Sequence, residues 1–204
     1  MIKFLTESTP IVPKTLFLIY LVLFAVCAIN PLNPTIWFAE NATVVIILIP
    51  ILLLYFFGFK LSNLSYLLMS VLIYLHTIGG HYTFAEVPFE TLTELFGFER
   101  NNYDRIAHFS VGFYAFPIAE LFLKRTLVAN KWIAALMGVL AIATIAGVYE
   151  IVEWIFAILS DPNAGAAFLG SQGDEWDAQK DMLADISGAI LSSALFLTVA
   201  RKFK

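Results

Sequence analysis

Three aspartates spaced four residues apart precede a strongly apolar segment, and this arrangement limits how the chain can fold. Asp177, Asp181 and Asp185 stand at i, i+4 and i+8, and the apolar run 189–200 follows them. On a helix these three side chains share one face. An ionised aspartate near the centre of a bilayer costs roughly 2.5–3.5 kcal/mol even on a lenient insertion scale. The sequence therefore predicts that this face meets a partner, a cavity or an ion.

The composition indicates a membrane protein. Of the 204 residues, 60% are hydrophobic and 14% are charged, whereas soluble domains carry about 25% charged residues. No linker or block of charge divides the chain, so a single domain is expected. No basic patch could hold phosphates, so nucleic acid is not an expected partner. Cys27 is the only cysteine, which excludes an intramolecular disulfide and a multi-cysteine metal site.

The apolar segments fit six membrane-spanning helices and predict an all-α bundle in one domain covering residues 1–204. The predicted spans are residues 14–30, 42–59, 62–80, 102–123, 131–159 and 176–200. The first segment lacks a small-x-small cleavage site, so we expect a retained span rather than a signal peptide. Residues 91–98 are expected to form a short helix at the membrane surface.

The distribution of charge predicts the orientation of the bundle. In the six-span arrangement three basic residues fall on one side, namely Arg100, Arg105 and Lys180. Nine fall on the other: Lys3, Lys14, Lys60, Lys124, Arg125, Lys131, Arg201, Lys202 and Lys204. This positive-inside bias predicts that both termini are cytoplasmic. The loops on the opposite side are acidic and are expected to include Glu40, Asp161 and Asp174.

Spans three to six carry ionisable residues at similar depths on the acidic side of the bundle. These residues are His76 and His81, then Asp104, Arg105 and His108, then Glu150 and Glu153, and finally Asp177, Asp181 and Asp185. From the helical rise, Asp185 and Glu150 lie roughly 12–16 Å below the interface and His108 about 9 Å. One shared site is the simplest explanation for four helices that bring charge to the same layer.

The charge balance of this layer favours a bound cation or shared protons. Arg105 and Lys180 are the expected cations, against six carboxylates: Asp104, Glu150, Glu153, Asp177, Asp181 and Asp185. Buried like charges cannot all stay ionised without compensation. Histidine beside carboxylates favours Zn²⁺ or Mn²⁺, and mainly carboxylate ligation would suit Mg²⁺ or Ca²⁺. A purely structural network of ion pairs is the alternative.

Four motifs resemble those of the YjdF-like family of bacterial inner-membrane proteins. They are His76-x4-His81-Tyr82-Thr83, Asn102-Tyr103-Asp104-Arg105-x2-His108-Phe109, Tyr149-Glu150-x2-Glu153-Trp154 and Gly173-Asp174-x-Trp176-Asp177-x-Gln179-x-Asp181-Met182. A more distant resemblance is to VanZ-like proteins, which are associated with glycopeptide resistance at the cell envelope. It rests on Asp104-Arg105-x2-His108-Phe109, the acidic helix that follows, and Asp181-x3-Asp185-x2-Gly188. The resemblances imply a multi-pass protein of the bacterial inner membrane with a role in the cell envelope. They imply no catalytic mechanism.

The leading hypothesis is a metal-dependent membrane hydrolase or transferase that acts on a lipid or lipid-linked envelope substrate from the periplasmic side. The expected metal ligands are His76, His108, Glu150, Asp181 and Asp185, with Asp104 and His81 as further candidates. Glu150 is expected to lie deeper than Glu153. Glu153 or Asp177 would be the general base that activates water, and Arg105 would contact an anionic head group.

Two other classes of function remain open at this point. A proton- or cation-binding transporter or relay would also contain intramembrane carboxylates. A non-enzymatic envelope factor could use the acidic loops to hold a partner. No hydrolase signature such as HExxH or GxSxG occurs in the sequence, so motifs alone do not decide between these classes.

Overall fold

The computed structural model describes residues 2–160 and 162–200. This part of the chain is helical, with two short 3-10 segments at Phe84–Glu86 and Gly112–Tyr114. The α-helices are α1 (Ile2–Thr6), α2 (Ile11–Cys27), α3 (Pro34–Phe56), α4 (Asn63–Tyr82), α5 (Glu90–Phe96), α6 (Tyr103–Val111), α7 (Ala115–Lys124), α8 (Lys131–Leu159), α9 (Pro162–Leu169) and α10 (Asp177–Val199).

Within residues 2–160 and 162–200, five helical segments are long and apolar enough to cross a membrane. They are α3, α4, the continuous segment Tyr103–Lys124 that contains α6 and α7, α8, and α10. At 17 residues, α2 is a shorter apolar helix near the lower limit for spanning a bilayer. The predicted all-α membrane bundle is confirmed, and its orientation stays a prediction. We call the end of the bundle with Asp104 the acidic end and the end with Lys124 the basic end.

The second span begins earlier than the sequence pattern suggested. α3 starts at Pro34 rather than at residue 42. The Asn33 side chain accepts hydrogen bonds from the N–H groups of Thr35 and Ile36, and proline is favourable at the first helical position. Asn33 and Pro34 therefore begin α3 in addition to ending the loop that follows α2. As a result Glu40, expected in a loop, is buried inside α3.

Two other expectations concern the short surface helix and the charges used to predict orientation. The short surface helix expected at 91–98 is present as α5, and Leu92, Leu95 and Phe96 are exposed on it. Several charges that were used to predict orientation fall outside the described residues. These are Asp161, Arg201, Lys202, Lys204 and the side chain of Lys3.

A close contact joins α6 and the 3-10 segment after it to α10 through small residues. A side chain added at Gly188 would collide with the carbonyl oxygen of Phe109, and one added at Gly112 would collide with the backbone of Ala189. Ala184, Gly188 and Ser192 repeat every fourth residue, which predicts such a close-packed seam. Because the two backbones are in direct contact, side chains near this crossing are held at short range.

Ser192 supplies hydrogen bonds to the backbone where Pro117 interrupts the helical hydrogen bonding of the fourth span. Proline has no N–H to donate to the carbonyl of Phe113, four residues earlier. The Ser192 hydroxyl donates to that carbonyl at 3.0 Å and accepts a hydrogen bond from the Phe116 N–H at 3.1 Å. Backbone groups inside a membrane must be satisfied within the protein. Ser192 therefore ties α10 to the junction of α6 and α7.

A buried carboxylate organises the basic end. Glu120 is fully buried and accepts hydrogen bonds from the Ser62 N–H at 2.8 Å, the Ser62 hydroxyl at 2.7 Å and the Ser65 hydroxyl. The Lys124 ammonium lies 2.6 Å from the same carboxylate, as its i,i+4 spacing predicts. Glu120 thus joins α7 to the start of α4.

We expect Ser192→Ala to destabilise the protein by roughly 1–3 kcal/mol, because the Phe116 N–H and the Phe113 carbonyl each lose a hydrogen-bonding partner. Ser110→Ala is the matched control, since Ser110 is buried and donates its hydroxyl to the Ala107 carbonyl of its own helix. The melting temperatures of both variants in detergent test this. An equal loss for the two would contradict the role assigned to Ser192.

Candidate metal centre

Three ligand-type side chains meet where α6 crosses α10. Asp104 and His108 are one turn apart on α6 and face Asp181 on α10, with one ligand atom from each lying within 4.8 Å of the others. His108 Nε2 is 3.7 Å from Asp104 Oδ1 and 3.9 Å from Asp181 Oδ1. All three residues are buried. We call this group the metal centre, because one imidazole and two carboxylates could hold a divalent ion.

The donor set fits a first-row divalent ion. Such ions bind imidazole nitrogen and carboxylate oxygen at about 2.0–2.2 Å, so only a small inward movement of the three side chains is needed. Three protein ligands leave an open position, which is typical of catalytic rather than structural sites.

Asp185 holds the His108 ring from the opposite side. Its carboxylate oxygens lie 3.3 and 3.4 Å from His108 Nδ1, and the residue is 2% exposed. Metal-binding histidines commonly donate their second ring N–H to a carboxylate, which fixes the tautomer and the ring orientation. Asp185 therefore leaves Nε2 of His108 directed towards the other two members of the centre.

The outer part of the acidic layer is neutralised by basic side chains. Arg100 Nη1 lies 2.7 Å from Asp177 Oδ1, and Arg105 pairs with both Asp177 and Asp174. The Lys180 ammonium lies 2.6 Å from Asp174 Oδ2, and this hydrogen bond holds the pKa of the Asp174 carboxyl below its ordinary value. The sequence-based count of cations in this layer omitted Arg100, because the sequence does not indicate that the Arg100 loop folds back onto α10.

The inner part of the layer keeps the surplus of acid. Arg105 also forms an ion pair with Asp181, and His108 is the other basic group near the centre. The carboxylates of Asp104, Asp181 and Asp185 surround that single imidazole. Negative charge is therefore concentrated around His108 among buried side chains, where compensation is needed most.

A cavity of about 190 Å³ adjoins the metal centre. Asp104, His108 and Asp185 line one wall, while Glu40 and His76 line another. Most of the remaining lining is apolar. The cavity thus places buried ionisable groups at the side of an otherwise hydrophobic space.

Glu40 is a site residue that the sequence interpretation missed. His76 Nε2 lies 2.8 Å from Glu40 Oε2, and both side chains are buried. A Cβ at Gly80 would lie 2.9 Å from Glu40 Cβ, so this glycine allows α3 to approach α4. The helix-start signal at Asn33 and Pro34 would have placed Glu40 correctly. Because His76 pairs with Glu40, it does not join the metal centre directly.

Other predicted site residues also differ from their expected positions. His81 Nδ1 lies 2.8 Å from the Cys27 carbonyl oxygen, which joins the ends of α4 and α2 away from the metal centre. Glu153, rather than Glu150, lines the cavity. Ala146, Tyr149 and Glu153 follow the i, i+3, i+7 spacing of one helical face, and Glu150 lies about 100° away from Tyr149.

Ion pairs engage both Asp177 and Arg105, which bears on the catalytic roles expected for them. Asp177 is bound by two guanidinium groups, so its carboxylate is engaged outside the cavity. Arg105 is bound to Asp174, Asp177 and Asp181. Of the two expected bases, Glu153 is therefore the one that faces the cavity.

We expect Arg105→Gln to destabilise the protein by roughly 1–3 kcal/mol, because it leaves buried Asp181 without its guanidinium while water still screens part of the pair. Lys180→Gln is the control. Its side chain is 53% exposed, and exposed pairs contribute little. Thermal unfolding of both variants measures the difference. A larger effect at Lys180 would contradict the division into outer and inner parts.

Comparison with known proteins supports the membrane assignment. The family model described as "Predicted membrane protein (DUF2238)" matches residues 12–202. The chain is 35% identical over 200 residues to "Inner membrane protein YjdF" of Escherichia coli (strain K12). These aligned residues cover 96% of this chain and 90% of the relative. No solved structure matches. The YjdF-like resemblance is confirmed, and the VanZ-like resemblance stays a prediction.

Proposed function

This chain belongs to the DUF2238 family of predicted membrane proteins, and we propose that it binds a divalent metal ion within the inner membrane through Asp104, His108 and Asp181. One observation carries the proposal: three buried ligand atoms from two helices lie within 4.8 Å of one another, in a layer with too few cations. The name of the relative, an inner membrane protein, supports the location.

The ligand types favour a particular group of ions. Imidazole with two carboxylates suits Zn²⁺ or Mn²⁺ better than Mg²⁺ or Ca²⁺, which prefer oxygen ligands alone. Asp185 would act through His108, by fixing the ring that presents Nε2 to the ion.

We propose further that the centre serves a hydrolase or transferase acting on a lipid or lipid-linked substrate. A divalent ion bound there would supply Lewis acidity towards a carbonyl or phosphoryl oxygen. Glu153 lines the cavity and would accept a proton from water. Arg105 keeps Asp181 in position. The apolar cavity wall supports a substrate with a hydrocarbon part.

The acidic end is proposed to face the periplasm. Lys14, Lys60, Lys124, Arg125 and Lys131 belong to the opposite end, and an excess of basic residues marks the cytoplasmic side of membrane proteins. With this orientation the metal centre lies in the outer half of the membrane, where envelope lipids are accessible.

A relay across the membrane is the less favoured candidate. It would need ionisable groups that continue from the metal centre towards the basic end. Glu120 lies in that half, and its carboxylate is occupied by Ser62, Ser65 and Lys124. This pairing favours a site that opens to one side of the membrane.

We expect Asp104→Asn to abolish metal binding and Asp185→Asn to weaken it by about 10–100-fold, as loss of a carboxylate behind a metal-binding histidine does. Elemental analysis of the purified variants measures metal content. Melting temperatures with and without a strong chelator measure the linked stability, because a ligand that binds the folded state stabilises it.

Asp174→Asn is the control for this experiment, since Asp174 belongs to the outer part of the layer. It should keep the metal and the chelator response of the wild type. An Asp185→Asn variant that is more stable than wild type, with no chelator effect on either protein, would refute the metal proposal and favour a metal-free charge network.

A further inference from the structure

The cavity beside the metal centre is covered at the acidic end by aromatic side chains. Phe84, which follows α4, and Phe168 of α9 both line the cavity and are buried. Phe168 contacts Phe156 of α8, with ring centroids 4.2 Å apart. α9 also packs against both α8 and α3. A molecule in the water layer therefore meets α9 and these rings before it reaches the metal centre.

The cavity is open on its side, between α3 and α8. Ile46 of α3 and Ile145 of α8 line the cavity, yet they are 69% and 50% exposed on the outer surface of the bundle. The other walls are closed, because α4 packs against both α3 and α6, and α10 packs against both α6 and α8. The cavity thus reaches the outer surface of the bundle at the gap between α3 and α8.

This opening lies at the depth of the lipid chains. Ile46 is 12 residues after Pro34, and Ile145 is 14 residues before Leu159. At the α-helical rise these positions are roughly 18 and 21 Å from the acidic ends of their helices, within a hydrocarbon core about 30 Å thick. The molecules that surround the opening are therefore hydrocarbon chains rather than water.

The lining of the cavity changes from polar to apolar in a way that matches a lipid. His108, Asp185 and Glu153 lie towards the metal centre, whereas Ile46, Ile47 and Ile145 lie towards the opening. A hydrocarbon chain would bury its apolar surface against the isoleucines. A polar ester or phosphate linkage would then reach the ionisable groups.

We propose that one hydrocarbon chain of a membrane phospholipid enters between α3 and α8, so that the part of the chain next to its polar linkage lies in this cavity, with the linkage at the metal centre, while the rest of the chain extends into the bilayer. The role of the linkage rests on the proposed function. Occupancy by the chain depends on the shape and apolar lining of the cavity and does not require the metal.

The test is native mass spectrometry of the full chain after delipidation in detergent and addition of phosphatidylglycerol with palmitoyl and oleoyl chains. We expect wild type to retain one lipid. Ala146 is 2% exposed and lines the cavity, so Ala146→Trp should weaken retention about tenfold or more by filling the space of the chain. Val148→Trp is the control, because Val148 is 56% exposed on the same helix and is not a lining residue.

A second variant guards against misfolding at the packed Ala146 position. Ile145→Trp places the bulk at the half-exposed opening and should also reduce retention. Equal retention by wild type and both cavity variants, or no lipid retained by folded wild type, would overturn the inference. Metal content is measured on the same samples. Wild type that binds metal but retains no lipid then counts against this inference alone, and wild type that retains lipid but holds no metal counts against the proposed function alone.

Discussion

A carboxylate that leaves water must find compensation within the protein, and this requirement explains the polar architecture of the bundle. Glu120 is compensated by hydroxyl groups and a lysine, and Asp177 by two arginines. Glu40 faces a histidine. Each of these acids therefore has a local partner that also joins two helices. The group around His108 differs, because several carboxylates share one imidazole there.

The sequence predicts those parts of the site that depend on periodicity within one helix. The spacing of Asp177, Asp181 and Asp185 places them on one face, and the spacing of Asp104 and His108 does the same. Their meeting could be predicted because both helices enter from the same end. The small residues around Gly188 indicated that α10 packs closely against a neighbour. In the structure that neighbour is α6.

The remaining parts of the site depend on contacts that periodicity does not contain. Glu40 was missed because its burial follows from where α3 begins, which is decided by the cap at Asn33. Arg100 was missed because a loop folds back onto Asp177. Glu153 lines the cavity in place of Glu150 because of the way α8 is rotated about its axis. Rotation of a long apolar helix is set by packing against its neighbours, and its apolar residues lie on all sides.

The backbone contact between α6 and α10 has a consequence for the choice of acid at each position. Where two helices touch through glycine, as at Gly112 and Gly188, the short reach of aspartate spans the gap, and the acids of this crossing are aspartates. Glu40 of α3 and Glu153 of α8 face the cavity, and each is longer than aspartate by one methylene. The contact between the two backbones thus limits side-chain length at the crossing. An acid lengthened there would have to bend away from His108, whereas an aspartate in place of Glu40 would fall short of His76.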